Sequence, residues 1–155
     1  MTLSDLNEVK GTSKSEKLSK IYNQFQNTLG ELKKRELPDE TIGFINKGIA
    51  EINTTPYIDK DLVKLLRKKL TQIIRILEKE LKIVPKGYYK VLWSSRGICI
   101  FGLPVGIIFG LIIMNNAGFL PIGFPFGMLV GRILGSSMDK KAFEEGRQLD
   151  VNIWA

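Results

Sequence analysis

The chain has 155 residues, 44% of them apolar and 25% charged, with 23 Lys and Arg against 16 Asp and Glu and no His. Without His there is no His-based triad, no zinc helix of the two-histidine type and no imidazole acid or base; the single Cys99 leaves no intrachain disulfide and no Cys-rich metal site, which suits a reducing compartment. Charge is sorted along the chain: residues 1–56 carry 8 basic and 8 acidic groups, 57–96 carry 11 and 4, 97–155 carry 4 and 4, and the 35 residues from Gly97 to Gly131 carry none.

Residues 1–12 hold a weak Leu3, Leu6, Val9 pattern before Gly11-Thr12-Ser13 and read as a loosely ordered lead-in. No apolar stretch of signal-peptide type occurs in the first fifty residues, so the N-terminus is expected to stay unexported, and Asn53-Thr54-Thr55 is then only loop composition. From about Ser15 to Lys34, the spacing of Leu18, Ile21, Phe25, Leu29 and Leu32 predicts a helix, which stops before Pro38. A second helix, about Asp39 to Asn53, places Ile42, Ile45, Ile49 and Ile52 on one side, although Gly43 and Gly48 weaken it. Thr54-Thr55-Pro56 is the next break.

The third helix starts near Asp59, a good N-cap residue, and runs to about Ile83. Val63, Leu66, Leu70, Ile73 and Leu77 step by 3 and 4, a seam that serves either packing against the first two helices in a small bundle or self-association. Lys64, Lys68, Arg75, Lys79 and Lys82 fall on one side, flanked by Arg67 and Lys69, as a stripe about 27 Å long. Three uses compete for it. One is attraction to anionic lipid headgroups. Another is a solvated face partly neutralised by Glu144 and Glu145. The third is capture of a polyanionic ligand such as a nucleotide or short oligonucleotide, without the stacking aromatics of a single-strand platform.

Pro85-Lys86-Gly87 interrupts this helix, and Tyr88, Tyr89 and Trp93 then interleave with Lys86, Lys90 and Arg96, the mixture that settles at headgroup depth. The uncharged run that follows would be about 52 Å long as one helix, well over a hydrocarbon core of about 30 Å, so it must fold back. Asn115-Asn116 with Gly118 supplies the turn, giving arms Ile98–Met114 and about Phe119–Ser136. Basic residues flank both outer ends and none lies in the turn, so the expected topology is multi-pass in a cytoplasmic (inner) membrane with both termini cytoplasmic. Arg132 lies close enough to that face to snorkel as an anchor; a pore or mouth role, shared with Asn115 and Asn116, is the other reading.

Gly102, Gly106 and Gly110 recur every four residues in the first arm, as do Gly123, Gly127, Gly131 and Gly135 in the second. This spacing stacks glycines on one face of each helix and makes a groove for close helix approach, either between the two arms of one chain or between chains. Pro104, Pro121 and Pro125 remove backbone donors; Pro121 falls in the first turn of its arm, where that is tolerated, whereas Pro104 and Pro125 encourage kinks.

The segment from Gly102-Leu-Pro-Val-Gly106 through Asn115-Asn116, the repeat Gly123 to Gly135 and the tail Met138 to Leu149 resembles small bacterial glycine-zipper proteins with a two-helix membrane hairpin. The resemblance covers residues of about 90–150 and implies a self-associating bacterial cytoplasmic-membrane protein, with no catalytic residues to carry over. Pro121 and Pro125 depart from the family pattern in the second arm.

The expected fold is all-α: a cytoplasmic helical bundle over residues 1–84, an interfacial linker over 85–96, a two-helix transmembrane hairpin over 97–137 and a cytoplasmic tail over 138–155. No enzyme and no cofactor is expected, since no nucleophile and base pair, metal cluster or phosphate loop is present in the sequence. Two functions fit. One is a homo-oligomeric channel or pore gated by the helical domain, in the layout of a bacterial defence or stress effector answering an anionic ligand. The other is a non-conducting anchor or scaffold that holds a partner protein at the cytoplasmic face. Membrane lipids are partners in both.

Overall fold

The computed structural model describes residues 2–7, 16–55 and 60–154. Val9, Gly11 to Ser13, Ser15, Pro56 and the expected N-cap Asp59 lie outside the described residues. The fold is helical, with one short two-stranded ladder, and divides into two compact units. The first takes the chain up to Pro85 together with Leu149–Ile153; the second takes Lys86–Gln148 and Trp154.

In the first unit, α1 (Glu16–Lys33) buries Leu18, Ile21, Phe25, Leu29 and Leu32, the residues whose spacing predicts it. Pro38 precedes α2 (Asp39–Thr54), whose Asp39 and Glu40 sit in the first turn, where carboxylates favour the exposed amides. Its isoleucines 42, 45, 49 and 52 are all buried. Helix α3 (Lys60–Ile76) packs against both α1 and α2. Leu66, Leu70, Ile73 and Leu77 are 4% exposed or less, so the 3,4 seam belongs to this core and is not an exposed surface for self-association. Val63, at the start of the seam, is only half-buried.

The third helix ends sooner than its apolar pattern suggests. A π-helical turn, Leu77–Leu81, closes it; Lys82 then takes a left-handed conformation, φ 57°, while the Ile83 amide donates to the Leu77 carbonyl at 3.1 Å. Strand β1 (Val84–Pro85) follows and pairs with β2 (Gln148–Leu149), through which Leu149 enters the core fully buried, with Val151 at 4% exposure. Residues 2–7 correct the expectation of a loose lead-in: Leu6 is buried, and the main chain is bonded to side chains of α1 and α2.

In the second unit, α4 (Tyr88–Gly97) leads into a π-helical segment Ile98–Gly102, α5 (Leu103–Ile107) and a second π-helical segment Ile108–Ile113. Pro104 stands at the start of α5, where its missing donor falls at a change of helical winding. The turn is made by Asn115, φ 48°, and Asn116, whose side chain accepts from the Gly118 amide at 2.8 Å. A 3₁₀ segment, Ala117–Ile122, holds Pro121, and α6 (Gly123–Glu144) follows. Pro125 is thus the residue in the first turn of α6, where amides have no helical partner, and the helix runs unbroken past it. It continues seven residues beyond Ser137, through what reads in sequence as tail. Two helices, Tyr88–Ile113 and Ala117–Glu144, are long and apolar enough to cross a membrane.

Candidate functional site

The second unit inverts the usual arrangement of large side chains inside. Its buried positions are the glycines: Gly97, Gly102, Gly106 and Gly110 on the first arm, and Gly123, Gly127, Gly131 and Gly135 on the second, joined by Tyr89, Asp139 and Ala142. A Cβ on Gly123 would stand 2.5 Å from the Gly106 amide nitrogen, one on Gly127 2.7 Å from the Gly102 Cα, one on Gly135 2.6 Å from the Lys90 Cα and one on Gly97 2.9 Å from the Gly131 Cα. Gly106 and Gly110 face the Leu120 backbone. Backbone meets backbone along the whole seam, so no side chain other than hydrogen is tolerated there. The four-residue spacing in both arms is used within one chain. Gly97, at the edge of the uncharged run, extends the first arm's series one step beyond Gly102 by five residues rather than four; the intervening π-helical turn restores the face.

Large apolar side chains point the other way. Ile100, Ile107, Ile108, Ile112, Ile113, Phe126, Leu129 and Ile133 are between 45% and 72% exposed. Large apolar side chains exposed along both arms mark a surface suited to lipid or to a partner.

At one end of the seam the arms are tied by Asp139. Its carboxylate is buried, 8% exposed, and accepts from the Tyr89 amide at 3.0 Å and the Lys90 amide at 2.9 Å. These belong to the first turn of α4, whose preceding residue Gly87, φ 72°, offers no side-chain cap. A carboxylate from α6 therefore caps α4, meeting both its orphan donors and its positive dipole end. Nothing in the local sequence of α4 reveals this cap, because the capping residue lies 49 and 50 positions away. Tyr89 is buried against it and so is not at hand for lipid headgroups, a correction to its place in the aromatic belt. Lys86, Lys90 and Arg96 are exposed, and Tyr88 and Trp93 are partly exposed.

Arg132 is exposed and adjoins Gly131, which faces the Trp93 and Gly97 backbone; Arg132 and Arg96 therefore flank the seam at one level, with Gly135 and Asp139 continuing it beyond them. Asn115 and Asn116 are exposed at the opposite end, where the turn uses them structurally.

The basic stripe, Lys64, Lys68, Arg75, Lys79 and Lys82, is exposed throughout. Lys64 pairs with Asp61 at 3.1 Å and Lys79 with Glu80 at 3.3 Å, whereas Lys68 and Arg75 have no ion-pair partner among the described residues. Lys69 instead binds Glu51 on α2. The acids expected to neutralise this face are engaged in their own segment: Glu144 with Lys140 at 3.8 Å, and Glu145 with Lys141 at 3.9 Å and with Arg147. The Glu145 carboxylate beside Arg147 holds that guanidinium's pKa above its ordinary value.

None of the protein families, curated proteins or solved structures compared with the chain matches it.

Proposed function

We propose that residues 86–148 anchor the helical domain in a bilayer as a non-conducting two-helix hairpin, so that the domain can hold a partner at the cytoplasmic face. The observation that carries this reading is the inversion of the second unit: its glycine faces meet each other and its large apolar side chains face outward. In lipid this is a stable arrangement, because helix contact there comes from close backbone packing rather than from burying apolar side chains. The level of Gly97 and Gly131 supports it as well. Beyond that level the two arms, Gly97–Ile113 and Ala117–Gly131, are free of charge and about 22–26 Å long. That is short of a hydrocarbon core of about 30 Å, which the bilayer meets by thinning locally. Arg96, Arg132 and Trp93 then form the interfacial ring, with both termini on the positive, cytoplasmic side.

The alternative, an oligomeric pore, draws its subunit contacts from the same glycines. Their engagement within one chain and the apolar exterior favour the anchor. In this reading the chain stands beside the small bacterial glycine-zipper hairpins by packing mode, and the exposed basic stripe is a membrane-surface contact for anionic lipid. The test is reconstitution of the full chain into vesicles. The anchor floats with the vesicles after alkaline carbonate washing and leaves a potassium gradient intact. Recovery in the soluble fraction, or potassium flux above empty vesicles, overturns it.

A further inference from the structure

The segment after α6 is built to return. Gly146, φ 68°, donates its amide to the Phe143 carbonyl at 3.0 Å, and the Arg147 amide donates to the Ala142 carbonyl at 2.9 Å; this pair of bonds is a Schellman motif, which turns the chain out of the helix. Beyond it, burial alternates as in a strand with one covered side. Leu149 is fully buried and Val151 4% exposed, whereas Asp150 and Asn152 are exposed. Strand β1 is itself fully buried at Val84 and Pro85, and β2 is the strand that pairs with it. The Glu31 carboxylate, near the end of α1, accepts a hydrogen bond from the Asp150 main chain. Leu149–Ile153 accordingly belong to the first unit, although they follow Lys86–Gln148 in the chain.

Chain order gives this contact its meaning. The helices α1, α2 and α3 and strand β1 are complete by Pro85, but Leu149 and Val151, which close their core, come only after both arms. We propose that residues 149–153 are a latch: the first unit stays open at β1 and at the end of α1 until the chain has come back from the hairpin. The dependence runs one way. The hairpin holds itself through its glycine seam and the Asp139 cap, neither of which uses residues 149–153. On the anchor reading the latch has a further consequence. Strands β1 and β2 flank the two arms in sequence and pair only when the chain enters and leaves the bilayer at one face. A copy with a single arm inserted then carries an unfinished domain and no finished surface for a partner. That consequence rests on the anchor reading, whereas the latch itself does not.

The test is amide hydrogen exchange on the full-length chain in detergent micelles, comparing wild type with Leu149→Asp plus Val151→Asp. Amides of Leu18–Leu32, Ile45–Ile52 and Leu66–Leu77 are expected to lose protection by about a hundredfold or more, the scale set by losing two buried aliphatic side chains, while those of Gly127–Ala142 keep theirs. Where the Asp variant aggregates, Leu149→Ala plus Val151→Ala is measured instead, with the same asymmetry expected at smaller size. Wild-type protection of the first unit in the variant overturns the latch. Equal loss in both units also overturns it, because the segment would then brace the whole molecule rather than close one unit. Flotation of the wild-type chain with vesicles checks the anchor reading separately; a chain that fails to float removes the consequence for the bilayer and leaves the exchange result to decide the latch.

Discussion

Asp139 is the residue on which the second unit turns most sharply. It is a buried carboxylate whose two accepted hydrogen bonds are the cap of α4, so Asp139→Ala leaves two orphan amides as well as an unopposed helix dipole. The expected loss is about 2 kcal/mol, between a typical cap and a buried charge-assisted pair, and Asp139→Asn, which keeps one acceptor, loses about half as much. Denaturation in micelles measures both; an unchanged midpoint in the Ala variant contradicts the cap. Lys82 offers a prediction of the opposite sign. Its left-handed φ of 57° costs a non-glycine residue about 1 kcal/mol, so Lys82→Gly raises stability by a comparable amount. Glu31 gives a prediction for pH. Its side-chain hydrogen bond from Lys34 holds its carboxyl pKa below the ordinary value. The folded chain then binds fewer protons there than the unfolded chain, so the pair's contribution is present above the ordinary carboxylate pKa and fades as pH falls through the lowered one. Lys34→Ala should move the Glu31 titration upward in an NMR pH series, with little change in stability because the Lys34 side chain is 72% exposed.

At the scale of elements, glycine means opposite things in the two units. Gly30 of α1 and Gly43 of α2 face open space, so Ala at either should stabilise the helix by about 0.5–1 kcal/mol. Ala at Gly127, where a Cβ meets the Gly102 backbone, should destabilise the hairpin by about 1–3 kcal/mol, and Leu should part the arms. Melting curves of the three Ala variants decide this, and a stabilised Gly127→Ala would mean the arms do not approach as described. Periodicity revealed α1, α2, α3 and the glycine faces in sequence, because each is a repeat within one helix. The turn at Asn115 and Asn116 was equally readable from its local chemistry. What sequence concealed depends on residues far apart. Leu149 and Val151 complete a core built more than sixty positions earlier; Asn46 and Asn53 look like ordinary polar residues of α2 until residues 2–7 lie across them; and Asp139 looks like one more charge in a tail. The early end of the third helix was hidden too, since its apolar pattern continues through Ile83 while the backbone has already turned at Lys82.

Over the whole molecule, charge and hydropathy are separated along the chain. The net charge of +7 resides between residues 57 and 96, directly before the uncharged arms. On the proposed membrane-surface reading, each basic residue brought near anionic lipid would contribute about 1 kcal/mol, and Lys64, Lys68, Arg75 and Lys79 are the exposed residues that would supply it. Hydrogen exchange of the full chain in nanodiscs should show Lys60–Ile76 protected by anionic lipid, with the protection fading at high salt and in a Lys64→Glu, Lys68→Glu, Arg75→Glu variant. Protection by an added oligonucleotide in neutral lipid, and none from anionic lipid, would assign the stripe to a soluble polyanion instead.

If the two arms cross a bilayer as one glycine-seamed hairpin, the turn at Asn115 and Asn116 emerges on the side opposite both termini. In a Cys99→Ser background, Ala117→Cys and Lys140→Cys are each treated in intact cells with a membrane-impermeant maleimide, before and after permeabilisation. Ala117→Cys should be labelled in intact cells and Lys140→Cys only after permeabilisation. Labelling of both from the same side, or recovery of the protein in the soluble fraction, contradicts it.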